Sequence, residues 1–556
     1  MKKTKKKILL FKVPDCEFPS NNKPVEDLRS SFSYVIPTIS SALAYLGSFL
    51  QKYADDDYEI KLIDISVDSL LESKNRQIIP ESLIERMQTE IKNAEYDVIG
   101  LSAMFLTNYK WTILAAEYSR KYHPQARIIL GGGYSTILSE ESLKNTKADY
   151  IVIGEGEDTL LFLLNKIFGI RNEIFNKLFP HISGYAYFED GNYRVIPKST
   201  YIDNLDLLPW PAWDLLQGEA YFRDFRFPII TTRGCPYLCN FCSVVEYDGR
   251  KLRCRSTDDI LAEIDYFYKK YKIKNLIFYD DDVNINTKLF NSILKGLIDK
   301  HYDMKFEALY YAINPMKKET VELMFELGMR SVYLPVETGS PRMQKEIRKN
   351  INLAKAEEVF GWFKEKGFRI GTSFMLGFPQ ETIEDIRMTI DFARKIRAHE
   401  TSFWIVKPWP GTNLYEYAIE TNQLTESYDS KVGGYRGMGH FTEVQWNYEE
   451  VKTLMYDTNI EINFLQNLYF EDPKHYEDLY KYWHKMEPEL PDHAILFICL
   501  GYLSKQMGLV ERMKTYYSKA TSLYEKENVV KIYSKYLDCD YKPILDYKEF
   551  LYNKIG

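Results

Sequence analysis

Three of the chain's seven cysteines lie together in one short segment that is rich in turn-forming residues. They are Cys235, Cys239 and Cys242, which follow Gly234 at the spacing C-x3-C-x2-C. A four-iron, four-sulfur cluster is closed by four cysteine thiolates, one on each iron. Three thiolates leave one iron open to another ligand. The fold must therefore present this segment as a loop whose three thiols surround one site.

A structural zinc site is the alternative interpretation of this segment. Zinc requires a fourth Cys or His, usually within a second closely spaced pair. The nearest further cysteine, Cys254, stands alone. The spacing therefore favours an iron-sulfur cluster, [4Fe-4S], with one open iron.

Composition limits the remaining possibilities. The length of 556 residues is too great for a single core and predicts several domains. The scattered cysteines (Cys16, Cys254, Cys499 and Cys539) do not form a disulfide framework, so we expect a reducing, cytoplasmic location. The net charge of −7 gives no reason to expect nucleic acid. A basic start leads into the apolar residues 8–11, which are too few for a signal peptide or a membrane span.

The first part of the chain alternates short apolar runs with amphipathic segments. Strands are predicted at residues 8–11, 58–65, 96–103, 126–130 and 150–153. Helices are predicted at residues 36–53, 80–94, 107–122, 139–145 and 157–169. This alternation predicts an α/β fold with a doubly wound parallel sheet, flavodoxin-like and Rossmann-type, whose ligand crevice lies beyond the carboxyl ends of the strands.

Small residues follow three of these strands and would let a large planar ligand approach the backbone. Glycines at such places also serve tight turns, and both interpretations stay open on spacing alone. The succession IGLSA, ILGGGYST and DYIVIGEGED resembles the cobalamin-binding domain that precedes many radical S-adenosylmethionine (SAM) enzymes. The resemblance implies a cobalamin-binding domain at residues 1–170, with cobalamin held by Ser102, Gly131, Gly132, Gly133, Gly154, Glu155 and Gly156.

One feature of cobalamin-dependent mutases is missing from this part of the chain. The Asp-x-His-x-x-Gly motif, whose histidine binds the lower face of cobalt, is absent. Many cobalamin-binding radical SAM enzymes also lack it. We therefore expect a cobalt whose lower face is not held by imidazole, and the sequence does not identify the residue beneath it.

Residues 171–227 are predicted to connect two cofactor domains. Alternating aromatic residues on both sides of Asp190 and Gly191 predict a hairpin at residues 184–197. At the other end of the chain, residues 441–556 are predicted to be helical. Residues 494–528 resemble one tetratricopeptide-like helix pair, which would serve as a cap or as a partner surface.

Residues 228–440 repeat the pattern of strand followed by helix. Strands are predicted at 228–232, 274–279, 305–311, 331–336, 368–376 and 402–407. Together with the cysteine triplet, they resemble the partial (β/α)6 barrel of the radical SAM enzymes, whose functional groups follow the strands. The resemblance implies SAM contacts from Phe241, Asp280, Asp281, Glu337, Ser340, Ser373 and Gly377. The third strand departs from the family, because Ala312 to Pro315 stand where many relatives carry an arginine that contacts the SAM carboxylate.

The resemblance implies a cobalamin-dependent radical SAM enzyme with three cofactors: a [4Fe-4S] cluster, SAM and cobalamin. The expected activity is C-methylation of an unactivated carbon through a 5'-deoxyadenosyl radical and methylcobalamin. The substrate would be a small molecule or a peptide, and electrons would come from a donor such as flavodoxin or ferredoxin. Two alternatives remain: a non-methylating relative that performs cyclisation, ring contraction or oxidation, and a binding protein that senses B12 or redox state. No side chain is assigned a catalytic role.

Overall fold

The computed structural model describes residues 4–16, 18, 38–73, 79–425, 441–442, 444–488 and 490–555. The chain forms two compact units. Unit 1 comprises Met1–Tyr311, Glu322–Met329 and Lys407–Thr442; unit 2 comprises Ala312–Val321, Arg330–Val406 and Glu443–Gly556. The first basic residues, the predicted start of a helix at residue 36 and the predicted boundary at residue 440 lie outside the described residues.

Unit 1 begins with a seven-stranded sheet in the order β2-β1-β3-β4-β5-β6-β7. Its strands are β1 (Lys6–Lys12), β2 (Tyr58–Asp64), β3 (Val98–Ser102), β4 (Arg127–Gly131), β5 (Tyr150–Val152), β6 (Tyr185–Glu189) and β7 (Asn192–Ile196). The first five are parallel, which confirms the flavodoxin-like prediction. The predicted hairpin forms β6 and β7, and β6 pairs antiparallel with β5, so the hairpin extends this sheet.

Helices cover both faces of this sheet because each has an apolar face to bury. They are α1 (Ser41–Ala54), α2 (Ile65–Glu72), α3 (Pro80–Lys92), α4 (Tyr109–Tyr122), α5 (Gly133–Ile137), α6 (Ser139–Thr146), α7 (Glu157–Phe168) and α8 (Glu173–Leu178). The helices α2, α5 and α8 were not predicted. The first begins directly after β2, at its N-cap Asp64. The second begins within a glycine-rich segment that favours a turn, and the third lies in the predicted connector.

Unit 1 also contains a three-stranded parallel sheet in the order β12-β11-β8 and a two-stranded antiparallel ribbon of β9 and β10. These strands are β8 (Phe227–Ile229), β9 (Thr232–Arg233), β10 (Arg253–Cys254), β11 (Asn275–Phe278) and β12 (Lys305–Ala308). The associated helices are α9 (Gly218–Phe222), α10 (Val244–Asp248), α11 (Thr257–Tyr271), α12 (Thr287–Lys300) and α17 (Asn413–Glu420), and α13 covers Lys318–Glu326.

Unit 2 contains a second three-stranded parallel sheet in the order β13-β14-β15. Its elements are β13 (Ser331–Tyr333), α14 (Pro341–Glu346), α15 (Leu353–Glu365), β14 (Arg369–Leu376), α16 (Ile383–Ile396) and β15 (Glu400–Ile405). The six strands predicted for residues 228–440 are therefore present, three in each unit, and helices alternate with them. The predicted fold class is confirmed.

The C-terminal part of unit 2 is helical, as predicted. It contains α18 (Tyr448–Asn459), a π-helix (Ile460–Leu465), α19 (Tyr476–Met486), α20 (Ala494–Gln506), α21 (Val510–Leu523), α22 (Glu527–Tyr533) and α23 (Lys542–Ile555). The predicted helix pair corresponds to α20 and α21. Gly501 lets them approach closely, because a Cβ there would lie 2.2 Å from the Tyr517 ring.

The π-helix joins this region to the neighbouring sheet of unit 2. Asn463 accepts a hydrogen bond from Thr401 N–H at 2.9 Å and donates one to the Thr401 carbonyl oxygen at 2.6 Å. The Asn463 side chain thus pairs with the backbone N–H and carbonyl oxygen of Thr401, as the backbone of a neighbouring strand would. Among the described residues, no helix has both the length and the apolar character needed to cross a membrane. The role of the helices as a cap or a partner surface stays a prediction.

Candidate active site

The cysteine loop, residues 234–252, begins and ends at the β9–β10 ribbon. Arg233 pairs with Arg253 in this ribbon, so the two ends of the loop lie side by side. Gly234 has φ +86°, and a Cβ there would lie 2.3 Å from the Lys251 carbonyl oxygen. Cys235 N–H donates to the Gly249 carbonyl oxygen at 3.1 Å. The base of the loop is therefore closed by backbone contacts that require glycine.

None of the seven cysteines forms a disulfide, and Cys235, Cys239 and Cys242 are all partly exposed. Burial, with smaller contributions from Asp282, Cys242 and Asp281, raises the pKa of the Cys235 thiol to about 12. This thiol therefore needs a bound metal to become a thiolate.

The described residues also bear on the zinc alternative. They contain no group of three His, Cys, Asp or Glu side chains arranged to hold a single metal ion. A cluster differs from a single ion because each of its cysteines binds a separate iron. Phe241 lies within the loop and is partly exposed.

Asp280 follows β11 and is fixed by the residues that follow β8. Its Oδ1 accepts hydrogen bonds from Thr231 N–H at 3.0 Å, Thr231 Oγ1 at 2.9 Å, Thr232 N–H at 2.6 Å and Thr232 Oγ1 at 2.7 Å. Burial raises its pKa despite these bonds. Its Oδ2 is buried and has no hydrogen-bond partner among the described residues. Oδ1 therefore supports the fold, and a contact of this carboxyl with SAM stays a prediction.

Asp281 has a different environment from its neighbour. Its side chain reaches solvent, yet desolvation by surrounding atoms, together with repulsion from Asp248, Asp282 and Asp280, raises its pKa to about 7. Partial exposure together with desolvation is typical of a concave surface. A donor N–H from a ligand would stabilise the charged form of this carboxyl.

In unit 2, Glu337 and Ser373 meet between neighbouring strand ends. Glu337 is buried and has φ +70°, a left-handed conformation that costs a non-glycine residue energy and often marks a functional site. Ser373 Oγ donates to Glu337 Oε2 at 3.4 Å, and the Ser373 carbonyl oxygen accepts Glu337 N–H at 3.0 Å. Lys349 Nζ lies 3.8 Å from Glu337 Oε1. Lys349 was not singled out from the sequence, and it supplies a cation on the same unit.

Ser340 and Gly377, the other two residues of unit 2 that were predicted to contact SAM, make hydrogen bonds with neighbouring residues. Ser340 is the N-cap of α14: its Oγ accepts Met343 N–H at 3.2 Å and donates to Asp385 Oδ1 at 2.6 Å. Gly377 has φ +86°, and its N–H donates to Glu381 Oε2 at 2.5 Å. Both residues shape the loops, and any contact they make with SAM stays a prediction.

Glu381 and Trp446 complete the loop after β14 and were not singled out from the sequence. Burial raises the pKa of Glu381 to about 8, although the N–H groups of Gly377 and Phe378 oppose the shift. Trp446 Nε1 donates to the Phe378 carbonyl oxygen at 2.9 Å, and its ring lies 3.2 Å from the place of a Cβ on Gly377. The loop is thus held by a carboxyl whose pKa is raised by burial, and it is covered by an indole.

The glycines at the carboxyl ends of β4 and β5 have different surroundings. Among the described residues, nothing lies within 4 Å of the place of a Cβ on Gly131, so its backbone is open there. A Cβ on Gly132 would lie 2.4 Å from the Ala103 carbonyl oxygen, and one on Gly133 would lie 2.2 Å from that of Met104. Gly156 precedes α7 and would meet only side chains, at 3.3 Å or more. Gly132 and Gly133 thus pack tightly against the segment after β3, the backbone of Gly131 is more open, and cobalamin contacts by all three stay a prediction.

The edge around Gly131 offers polar and apolar surface together. Ser102 pairs with Gly131 in register and is partly exposed. Met104 and Phe105, which follow Ser102 by two and three residues, are 52% and 55% exposed. An open glycine backbone beside exposed apolar side chains fits a large, flat, partly apolar ligand such as a corrinoid.

Gly154 and Glu155 connect this edge to the cysteine loop within unit 1. A Cβ on Gly154 would lie 2.9 Å from the carbonyl oxygen of Tyr247 in α10. Glu155 is buried, and Arg253 Nη1 donates to its Oε2 at 2.9 Å. Glu155 was predicted to bind cobalamin, but its carboxylate is engaged by arginine. The strand end that is predicted to bind cobalamin and the cysteine loop are therefore joined by direct contacts within unit 1.

Family models match both parts of this arrangement. The model of the radical SAM superfamily matches residues 229–393, and that of the B12 binding domain matches residues 33–164. The fold and the site thus define a radical SAM enzyme with a cobalamin-binding domain.

Individual proteins show the same relationship. An uncharacterized methyltransferase of Pyrococcus horikoshii is 30% identical over 385 residues, which cover 69% of this chain and 79% of the relative. Cytidylyl-2-hydroxyethylphosphonate methyltransferase of Streptomyces wedmorensis is 23% identical, with 69% and 78% covered. The cobalamin-dependent SAM radical enzyme OxsB shares the fold, with a TM-score of 0.65, 15% identity and coverage of 99% of this chain and 84% of OxsB. The chain belongs to the cobalamin-binding radical SAM enzymes, and its cofactors are a [4Fe-4S] cluster, SAM and cobalamin.

Proposed function

We propose that this enzyme is a methyltransferase that acts on an unactivated carbon of a small-molecule or peptide substrate. The observation that carries the proposal is the contact between Gly154 and Tyr247, which joins the glycine-rich strand end to the cysteine loop within one unit. The named methyltransferases among its relatives support the same reaction class. A one-electron donor such as flavodoxin or ferredoxin would serve the cluster.

The chain's own residues divide the work of binding. Cys235, Cys239 and Cys242 would hold the cluster, and the carboxylate of Asp281 would accept a hydrogen bond from the amino group of SAM. When bound, the cluster and SAM supply a carbon radical, and cobalamin supplies the methyl group. The protein contributes placement and exclusion of water.

In unit 2, Glu337 and Lys349 present an anion and a cation beside each other. We assign Glu337 to the ribose and methionine portion of SAM. Lys349 is suited to the SAM carboxylate, for which the segment after the third strand has no arginine. Ser373 holds Glu337 in place through its hydroxyl and its carbonyl oxygen.

Product analysis tests the reaction class without knowledge of the substrate. The protein is reconstituted anaerobically with iron, sulfide and cobalamin, reduced, and given SAM. A methyltransferase yields 5'-deoxyadenosine together with about one S-adenosylhomocysteine per bound cobalamin. A non-methylating relative yields 5'-deoxyadenosine alone, and a sensor cleaves no SAM.

Two variants control for this measurement. Cys239→Ala removes a cluster ligand and should abolish formation of 5'-deoxyadenosine. Cys254→Ala removes a nearby cysteine outside the triplet and should leave it unchanged. Formation of 5'-deoxyadenosine without any cobalamin-dependent S-adenosylhomocysteine would contradict the proposal.

A further inference from the structure

Two arginines stand at the base of the cysteine loop, one at each end. Arg233 immediately precedes Gly234, and Arg253 lies opposite it in the β9–β10 ribbon. The ribbon therefore places two positive charges side by side, with the cysteines in the loop between them.

Both arginines bind glutamates from the strand end that follows β5. Arg233 Nη2 lies 2.7 Å from Glu157 Oε1, and Arg233 Nη1 lies 3.5 Å from Glu155 Oε2. Arg253 Nη1 lies 2.9 Å from Glu155 Oε2, and its Nη2 contacts Glu155 Oε1. The four side chains are at most 10% exposed. Two cations and two anions thus form one closed, buried set, which we call the ion-pair clasp (Glu155, Glu157, Arg233 and Arg253).

Aromatic rings and backbone groups complete the surroundings of the clasp. The Arg233 guanidinium lies 5.1 Å from the ring of Tyr45, and that of Arg253 lies 4.9 Å from the ring of Tyr201. Arg253 also donates to the Asp248 carbonyl oxygen at 2.8 Å. Planar guanidinium groups suit this combination of forked ion pairs and stacking, whereas a lysine ammonium does not.

Burying the four charged side chains of the clasp costs desolvation free energy, which apolar side chains packed in the same place would not. Buried ion pairs are often no more stabilising than apolar residues of similar volume, and their directional geometry is what they add. Here that geometry acts between the two ends of the cluster-binding loop and the strand end of the cobalamin-binding domain. Contacts by Tyr247 already join the same parts through apolar and backbone surface.

We propose that the ion-pair clasp is a positioning device that sets the separation between the cluster and the corrinoid before substrate binds. Arg233 and Glu157 are its most informative members, because each can be altered without touching a cysteine or the open backbone of Gly131. Its consequence for methyl transfer rests on the proposed function, since a displaced corrinoid would present its methyl group poorly to the substrate carbon. A misplacement of about 1 Å can reduce the rate of a positioned reaction by about a hundredfold.

The test uses two variants and one matched control in the reconstituted full-length enzyme. Glu157→Gln removes one negative charge at constant shape, and Arg233→Lys keeps the charge but loses the forked contact to two glutamates. Asp203→Asn breaks the exposed ion pair with Lys251 of the same loop, which spans 2.8 Å. Iron and cobalamin contents are measured for each protein.

Two readouts report position and not turnover. The EPR coupling between cob(II)alamin and the reduced cluster reports their separation, and hydrogen exchange of residues 234–252 in the apo chain reports how firmly the loop is held. We expect both clasp variants to retain both cofactors. They should lose the single, well-defined EPR coupling of the wild type, and residues 234–252 should exchange hydrogen faster. Asp203→Asn should match the wild type in both readouts. In product analysis they should form 5'-deoxyadenosine in excess over S-adenosylhomocysteine.

Three results would overturn the proposal. They are an unchanged coupling in both variants, an unchanged exchange rate, and loss of either cofactor, which would make the clasp part of a binding site. If the wild type forms no cobalamin-dependent S-adenosylhomocysteine while both clasp variants change the coupling and the exchange rate, the proposed function fails and the positioning role stands. The two failures are therefore distinguishable.

Discussion

Gly154 and Tyr247 approach each other so closely that a Cβ on Gly154 would lie 2.9 Å from the Tyr247 carbonyl oxygen. Gly154 lies just beyond β5 in the cobalamin-binding domain, and Tyr247 lies in α10, which follows the last cysteine of the triplet. The contact shows that the glycine at this place serves the packing of one cofactor domain against the loop of the other.

Replacement of Gly154 by alanine should therefore cost more than backbone strain alone. Gly154 has φ +70°, and a left-handed conformation costs a residue with a side chain roughly 1–2 kcal/mol. Gly169→Ala is the matched control, because Gly169 has φ +64° and no described residue lies within 4 Å of its added Cβ. We expect Gly154→Ala to lower the unfolding free energy more than Gly169→Ala in urea titrations. Equal losses of unfolding free energy in the two variants would show that Tyr247 moves aside for the added Cβ without a measurable penalty.

Each cysteine of the triplet should be essential to the cluster. Cys235→Ser, Cys239→Ser and Cys242→Ser should each abolish the iron-sulfur absorbance and SAM cleavage after reconstitution. Cys254→Ser should retain both, because Cys254 lies in β10 outside the loop. Iron analysis of each variant checks this. A cluster that survived two of the three loop substitutions would contradict the assignment.

Asp280 and Asp281 should separate into a structural and a ligand-binding role. Asp280→Ala leaves the buried donors of Thr231 and Thr232 without their acceptor, so we expect a loss of roughly 1–3 kcal/mol of unfolding free energy. Asp281→Asn should leave stability unchanged or slightly higher, because it removes a desolvated carboxyl. It should weaken SAM binding by roughly ten- to a hundredfold, as expected for one charge-assisted hydrogen bond. Thermal melts and equilibrium dialysis with SAM distinguish the two, and the reverse pattern would refute this division.

Glu381 should make stability depend on pH. Its pKa is about 8 in the folded protein, chiefly because of burial, against an ordinary value of 4.5. The folded state therefore holds more protons than the unfolded state between these values, and stability falls as pH rises through this window, by up to about 1.4 kcal/mol per pH unit. Between pH 6 and 8, wild type should lose roughly 2 kcal/mol of unfolding free energy relative to Glu381→Gln. Parallel urea titrations at the two pH values check this, and a difference that does not change with pH would place the proton elsewhere.

Strand ends were predictable because their signal is local. An apolar run that stops at Gly131 or Asp280 marks both a buried strand and the polar end that follows it, within a few residues of sequence. The turn at Asp190 and Gly191 was predictable for the same reason. That β6 would join the first sheet was not, because strand pairing is decided by tertiary packing.

The ion-pair clasp and the cover over Gly377 could not be read from the sequence. Arg253 lies 98 residues from Glu155, and Arg233 lies 76 residues from Glu157. Trp446 lies 68 residues beyond Phe378, whose carbonyl oxygen it binds. No local pattern states which distant charge or ring a side chain will meet, so these contacts emerge only from the fold.

The central claim is that the three-cysteine loop holds a cluster with one iron open to SAM. The most direct test is the EPR spectrum of the reduced, anaerobically reconstituted protein, recorded before and after addition of SAM. The account predicts about four irons per chain and a clear change of the cluster signal when SAM is added. A protein that binds zinc in place of iron, or a cluster signal that SAM leaves unaltered, would contradict it.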